Sequence, residues 1–304
     1  MSLVEKTKTA LDESRTLTLG AQVLLGFQLQ APFQNAFTSL TPHEKTIEVA
    51  VLCLMALVLG LLIAPSARHR IVGRGDATAD INQFVSRMSL ATLFPFAIAL
   101  ALDLVIAGTR VAGPRTGAAA GVVGGLVAIG FWYGPFVIKY KERGASMPNT
   151  SETTSTATKI DYVLIEARVV LPGVQALLGF QLAIVLTSGF AELPPSAKAL
   201  HGVALGLVAL AMILLMTPAA YHRIVYGGAL APDFYRVASR FLLAATVFLA
   251  LGLSADIDVV VSKIIESEAI ASALALTTAA TLLGLWQAWP WWRHRKNATA
   301  NSSR

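Results

Sequence analysis

Eight apolar stretches, each about 20 residues long, dominate this sequence. They cover 16–37, 45–65, 88–108, 116–138, 169–190, 199–218, 241–261 and 269–291. A helix of that length crosses a hydrocarbon core of roughly 30 Å. In lipid the backbone must bond to itself, so spanning segments are helical. The sequence therefore predicts an all-α, polytopic membrane protein with eight transmembrane helices. The first stretch is the weakest, because Gln22, Gln28, Gln30 and Gln34 interrupt it. Only 14% of the residues are charged, against about 25% in a soluble domain.

The charges are sorted by loop. Counting from the N-terminus through alternate loops to the tail, 19 of the 24 Lys and Arg residues fall on one side of the expected membrane. The other side holds Lys45, Arg110, Arg115, Lys198 and Lys263. Such a bias predicts that both termini lie in the cytoplasm and that the chain sits in the plasma membrane. The net charge of +6 then reflects topology, with anionic lipid headgroups as the expected partner and no nucleic acid. Residues 1–15 are charged throughout, so no signal peptide is expected. Cys53 is the sole cysteine, which excludes an internal disulfide.

The chain matches itself at a constant offset of 153. Between 13–37 and 166–190, 11 of 25 positions are identical, including Glu13/Glu166, Arg15/Arg168, Gly20/Gly173, Gln22/Gln175, Gly26/Gly179, Phe27/Phe180 and Gln28/Gln181. The register continues through Pro65/Pro218, His69/His222, Arg70/Arg223, Gly75/Gly228, Arg87/Arg240 and Asp103/Asp256. Each unit has four spans, so the second copy enters the membrane in the orientation of the first. Two parallel four-helix repeats, related by a pseudo-two-fold along the membrane normal, are expected. The repeats would occupy 1–143 and 159–296. A Ser- and Thr-rich linker, 144–158, would join them, followed by a polar tail, 297–304.

Ionisable residues inside spans are costly and point to function. Asp103 and Asp256 lie near the outer ends of spans three and seven. Glu48 and His201, themselves repeat-equivalent, lie at the outer ends of spans two and six. A Glu48–Asp103 pair in one half and a His201–Asp256 pair in the other are expected. Two close carboxylates share a proton, because both cannot ionise without repulsion. The bland alternative is a static tie between helices. Gln22 and Gln175 fall on the faces of spans one and five that carry Arg15 and Arg168, either packing across helices or lining a polar path between the halves.

The inner ends carry a second polar group: Glu13, Arg15, His69, Arg70 and Arg87, recurring as Glu166, Arg168, His222, Arg223 and Arg240. Glu13 is expected to meet Arg70 or Arg87. Helix-end anchoring and a histidine-based latch are both compatible with this pattern. Pro65 and Pro218 are expected to end spans two and six. Gly117, Gly121 and Gly125 make a close-packing face in span four. Trp286, Trp289, Trp291 and Trp292 followed by Arg293 and Arg295 read as an interfacial belt. The sequence holds no P-loop, HExxH or GxSxG motif, so no enzyme, metal or cofactor is expected.

The pattern Glu13, Arg15, Gly20, Gln22, Leu24, Gly26, Phe27, then Pro32, Phe33, Gln34, Phe37, then Ala64, Pro65, His69, Arg70 resembles the four-span bacterial membrane family DUF6328. The second half matches at Glu166, Arg168, Gly173, Gln175, Leu177, Gly179, Phe180, Pro218, His222 and Arg223. It departs at Val185, Leu186 and Thr187, where Pro-Phe-Gln stands in the first half. The resemblance implies a tandem duplicate of an uncharacterised domain. Some family members carry a sodium:proton antiporter name. Small-ion or proton-coupled transport between the repeats is accordingly the leading expectation, with a non-transporting scaffold or sensor as the alternative.

Overall fold

A computed structural model describes residues 2–140, 151–152, 154–226 and 231–302. The chain is almost wholly helical. Its long helices are α1 (Leu3–Gln30), α2 (Pro42–Ile71), α3 (Ala79–Ala112), α4 (Pro114–Tyr140) and α5 (Thr156–Val185). After a short α6 (Ser188–Ala191) come α7 (Pro195–Ile224), α8 (Pro232–Ile265) and α9 (Glu268–Leu283), which passes through a π turn into α10 (Trp289–Ser302). The bounds of α2 and α3 recur in α7 and α8 at the offset of 153. Seven of the described helices are long and apolar enough to cross a membrane. The chain is a multi-pass membrane protein. Of the long described helices, the one that fails this criterion is α1, built on the Gln-rich stretch.

Local chemistry sets the helix ends. Ser2 and Glu5 cap α1 reciprocally, and Thr41 and Glu44 do the same for α2, with Pro42 in its first turn. Gly113 ends α3 at φ 92°, a conformation open to glycine at no steric cost. Pro65 and Pro218 do not end their helices as expected. Both lie inside, and α2 and α7 run on to Ile71 and Ile224. Each proline removes one backbone bond, a loss that membrane helices tolerate more readily than soluble ones.

Part of the expected linker is anchored. Ala77–Thr78 pairs antiparallel with Ser151–Glu152, Thr154 is buried, and its Oγ1 accepts from the Ala77 amide at 3.0 Å. Residues 156–158 already belong to α5. Lys141, Arg143, the stretch 144–150, Gly228 and Arg304 lie outside the described residues.

Consecutive long helices pack antiparallel within each half. Ser14 of α1 donates to the Leu62 carbonyl of α2 at 3.0 Å, and Tyr133 of α4 donates to the Leu90 carbonyl of α3 at 2.7 Å. Gly117, Gly121 and Gly125 face Val105, Thr109 and Ala101, so the small-residue face of α4 serves α3, as expected. Across the halves, α1 and α5 run parallel. Lys8 meets Asp161 at 3.2 Å, Phe27 meets Phe180 with ring centroids 4.5 Å apart, and Asn35 accepts from Ser188 at 2.7 Å.

The most buried spans are α2 and α8, whose apolar windows are 61% buried. The other spans present apolar side chains outward, such as Val122, Leu126 and Phe131 on α4, as lipid-facing helices do. Trp286 is not part of a belt. It is fully buried, and its indole donates to the Gly60 carbonyl at 2.8 Å. Trp289 packs on Phe84, and only Trp291 and Trp292 are about half exposed.

Candidate functional site

Each half builds a polar cluster around one aspartate at the end of the bundle away from the termini. In the first half, Gln28 of α1 donates its side-chain amide to Asp103 of α3 at 2.7 Å. In the second, Gln181 of α5 donates to Asp256 of α8. These two bonds are repeat-equivalent. Gln28 and Gln181 were not among the expected site residues, although both belong to the identities that define the repeat. Their signal was present in the sequence, but nothing in it said that they reach the acids.

The third member differs between the halves. His201 of α7 puts Nδ1 3.2 Å from Asp256, and its Nε2 lies 3.1 Å from the Gln181 carbonyl. His201, Asp256 and Gln181 are all buried. The expected His201–Asp256 pair is therefore present and closed off. Glu48 stands within electrostatic range of Asp103, but Gln28 takes the hydrogen bond. Glu48, Gln28 and Asp103 are only half-buried. Glu48 and Gln28 line a groove of 380 Å³ together with Phe27, Gln30, Ala31 and Gln34.

A second repeated contact flanks these clusters. Arg110 at the end of α3 donates to the Ala36 carbonyl and to Ser39. Lys263 of α8, its equivalent, donates to the Gly189 carbonyl at 3.2 Å. Each cation satisfies a carbonyl of the short turns that follow the first helix of its half.

The termini-proximal polar group is divided unequally. Glu166 of α5 bridges Arg70 of α2 and Arg15 of α1, the latter at 3.3 Å. Arg15 also meets Asp12 at 2.7 Å. All of these but Asp12 are buried. Glu13 was expected to pair with Arg70 or Arg87, but it is exposed and forms no ion pair among the described residues. Its repeat equivalent, Glu166, takes that role, because the second half presents its acid to the first. Arg87, Arg168, Arg223 and Arg240 are exposed. His69 packs edge-on against Tyr162 and His222 packs on Phe234, so both rings serve as packing elements.

The seam between α1 and α5, where a path was expected, is filled. Gln22 is fully buried against Gly173, where a Cβ would fall on its amide. Gly26 is occupied in the same way by the Phe180 ring. Gln175, the equivalent of Gln22, is exposed. A cavity of 20 Å³ lies at the end of the seam near the termini, lined by Arg15, Thr18, Ser66 and Glu166 among others. It has room for about one water, and Arg15 Nε is a buried donor without a protein partner.

Among the described residues no cluster of three or more His, Cys, Asp or Glu side chains is placed to hold a metal ion. The chain matches no curated protein and no solved structure. A model described as "Family of unknown function (DUF6328)" matches residues 6–135 and again 150–290. The chain belongs to this family and carries its domain twice in tandem.

Proposed function

We propose that this membrane protein binds a proton or small cation at the Glu48–Asp103 groove and passes it across the bilayer. One observation carries the reading. Two repeat-equivalent carboxylate clusters differ in access, the second sealed by His201 and the first open beside Glu48. Buried acids are expensive in a bilayer and are kept where a path or a static tie needs them. The sealed copy has the features of a tie. The open copy lines its groove with the Glu48 carboxylate and the Gln28, Gln30 and Gln34 side chains, and Gln28 in turn donates to Asp103.

In this reading α1 is the eighth span, packed on one side against α2 and α5, and the two halves lie parallel about an axis along the membrane normal. The charge bias supports cytoplasmic termini, and with that orientation the groove opens outward. Anionic headgroups would then meet the inner basic residues. Purified protein in proteoliposomes is expected to show pH- or cation-dependent flux, read with an internal pH dye. Asp103→Asn is expected to bring that flux to background without loss of folded protein. A parent protein with no flux, or an Asp103→Asn variant with full flux, overturns the proposal.

The second reading is a non-transporting scaffold or sensor, favoured by the burial of His201, Asp256 and Gln181 against one another. It expects substitutions at both clusters to alter thermal stability alone.

A further inference from the structure

The two halves meet through different faces of equivalent helices. On α1 the contact uses Arg15, Gln22 and Gly26. On α5 it uses Glu166, Gly173 and Phe180. Arg15 pairs with Glu166, Gln22 fills the space over Gly173, and Phe180 fills the space over Gly26. These six positions are among the identities of the repeat. Each half therefore carries both faces, and a single chain uses only one face of each half.

The unused faces are intact. Arg168, Gln175 and Gly179 of α5 repeat the face that α1 presents, and all three are exposed. Glu13, Gly20 and Phe27 of α1 repeat the face that α5 presents; all three are exposed, and of them Phe27 alone touches the seam, with one side of its ring on Phe180. Nothing lies within 4 Å of a Cβ built at Gly20 or Gly179. Arg223, the equivalent of the Arg70 that pairs with Glu166, is also exposed. A strict two-fold between the halves would make the Gln22–Gly173 contact twice, the second time as Gln175–Gly20. It is made once. The contact is heterologous, and a heterologous contact leaves a complementary pair of faces at its two ends.

We infer that a second copy of this chain docks on the free faces, with the partner's Glu13, Gly20 and Phe27 against Arg168, Gln175 and Gly179. Charge complementarity selects this occupant: an acid on one face, Arg168 and Arg223 on the other. The inference is independent of any transport activity.

Cysteine pairs test it, in a Cys53→Ser background that removes the sole native thiol. Gly20→Cys with Gln175→Cys, oxidised in membranes, is expected to give disulfide-linked species of twice the chain mass or more, reversed by reductant. Gln22→Cys with Gly173→Cys is the folding control and is expected to close within one chain. A control pair that closes while the Gly20 and Gln175 pair stays at single-chain mass overturns the inference. Native mass spectrometry from lipid nanodiscs gives a second reading. The parent is expected to hold two or more chains per particle, and Glu13→Arg to shift it to one. Adding Arg168→Glu and Arg223→Glu to Glu13→Arg is expected to restore the assembly. One chain per particle in the parent overturns the inference as well.

Discussion

Glu166 of the second half sits 3.3 Å from Arg15 of the first, with both side chains buried. The same carboxylate holds Arg70. One acid thus joins α1, α2 and α5, and its charge balances guanidinium groups that no other fully buried acid reaches among the described residues.

Glu166→Gln keeps the shape and removes the charge. Breaking a buried ion pair by removing one partner costs about 3–5 kcal/mol. The expected result is a marked drop in the thermal unfolding midpoint in detergent. Arg87→Gln, at an exposed position, is expected to change stability by less than about 0.5 kcal/mol. Equal effects at the two sites would show that Glu166 is not a tie between the halves.

The carboxylate clusters should respond differently to loss of their third member. His201→Ala leaves Asp256 sealed with only Gln181 beside it, and a loss of about 3 kcal/mol or more is expected. Glu48→Ala removes a half-buried neighbour of Asp103 and leaves the Gln28 bond in place, so stability is expected to hold within about 1 kcal/mol. Differential scanning fluorimetry of the two variants checks the contrast. A larger loss at Glu48 than at His201 would reverse the assignment of tie and open site.

Gln22 buries both amide atoms with no hydrogen-bond partner in the protein. An unsatisfied buried polar group costs about 1–3 kcal/mol. Gln22→Leu is therefore expected to raise the unfolding midpoint. Gly173→Ala is expected to lower it, because its Cβ meets the Gln22 side chain. Combining Gly173→Ala with Gln22→Ala is expected to recover much of that loss, as a double-mutant cycle reads directly. Additive losses would mean that the two positions do not touch.

Trp286 donates to the Gly60 carbonyl from a fully buried position. Trp286→Phe removes that bond and part of the ring, with an expected cost of about 1–3 kcal/mol. Its fluorescence is expected to resist aqueous quenchers, unlike that of the half-exposed Trp291 and Trp292. Equal quenching of all the tryptophans would return Trp286 to an interfacial belt.

The helices and the duplication were legible in the sequence because both are local or repetitive signals. An apolar run of 20 residues reports its own preference for lipid, and the match at offset 153 reports common descent of two units. The weakness of the first stretch was legible as well, and α1 is the long helix that falls short on hydropathy. Gln28 and Gln181 were visible as identities but not as partners of Asp103 and Asp256, because a bond between residues 75 apart depends on how α1 turns against α3. Proline misled for a related reason. Its cost to a helix is read locally, whereas α2 and α7 continue past it to Ile71 and Ile224.

By itself the sequence determined that this is a helical membrane protein made of two copies of one family domain, since hydropathy and self-similarity need no knowledge of contacts. Only the tertiary structure decided that the two copies are used unequally. Identical residues face a partner in one half and stand exposed in the other, as Gln22 and Gln175 do. The reason is geometric. Sequence identity repeats the side chains, but a heterologous contact pairs one face of a unit with a different face of its neighbour. A chain with only two units can satisfy that contact once.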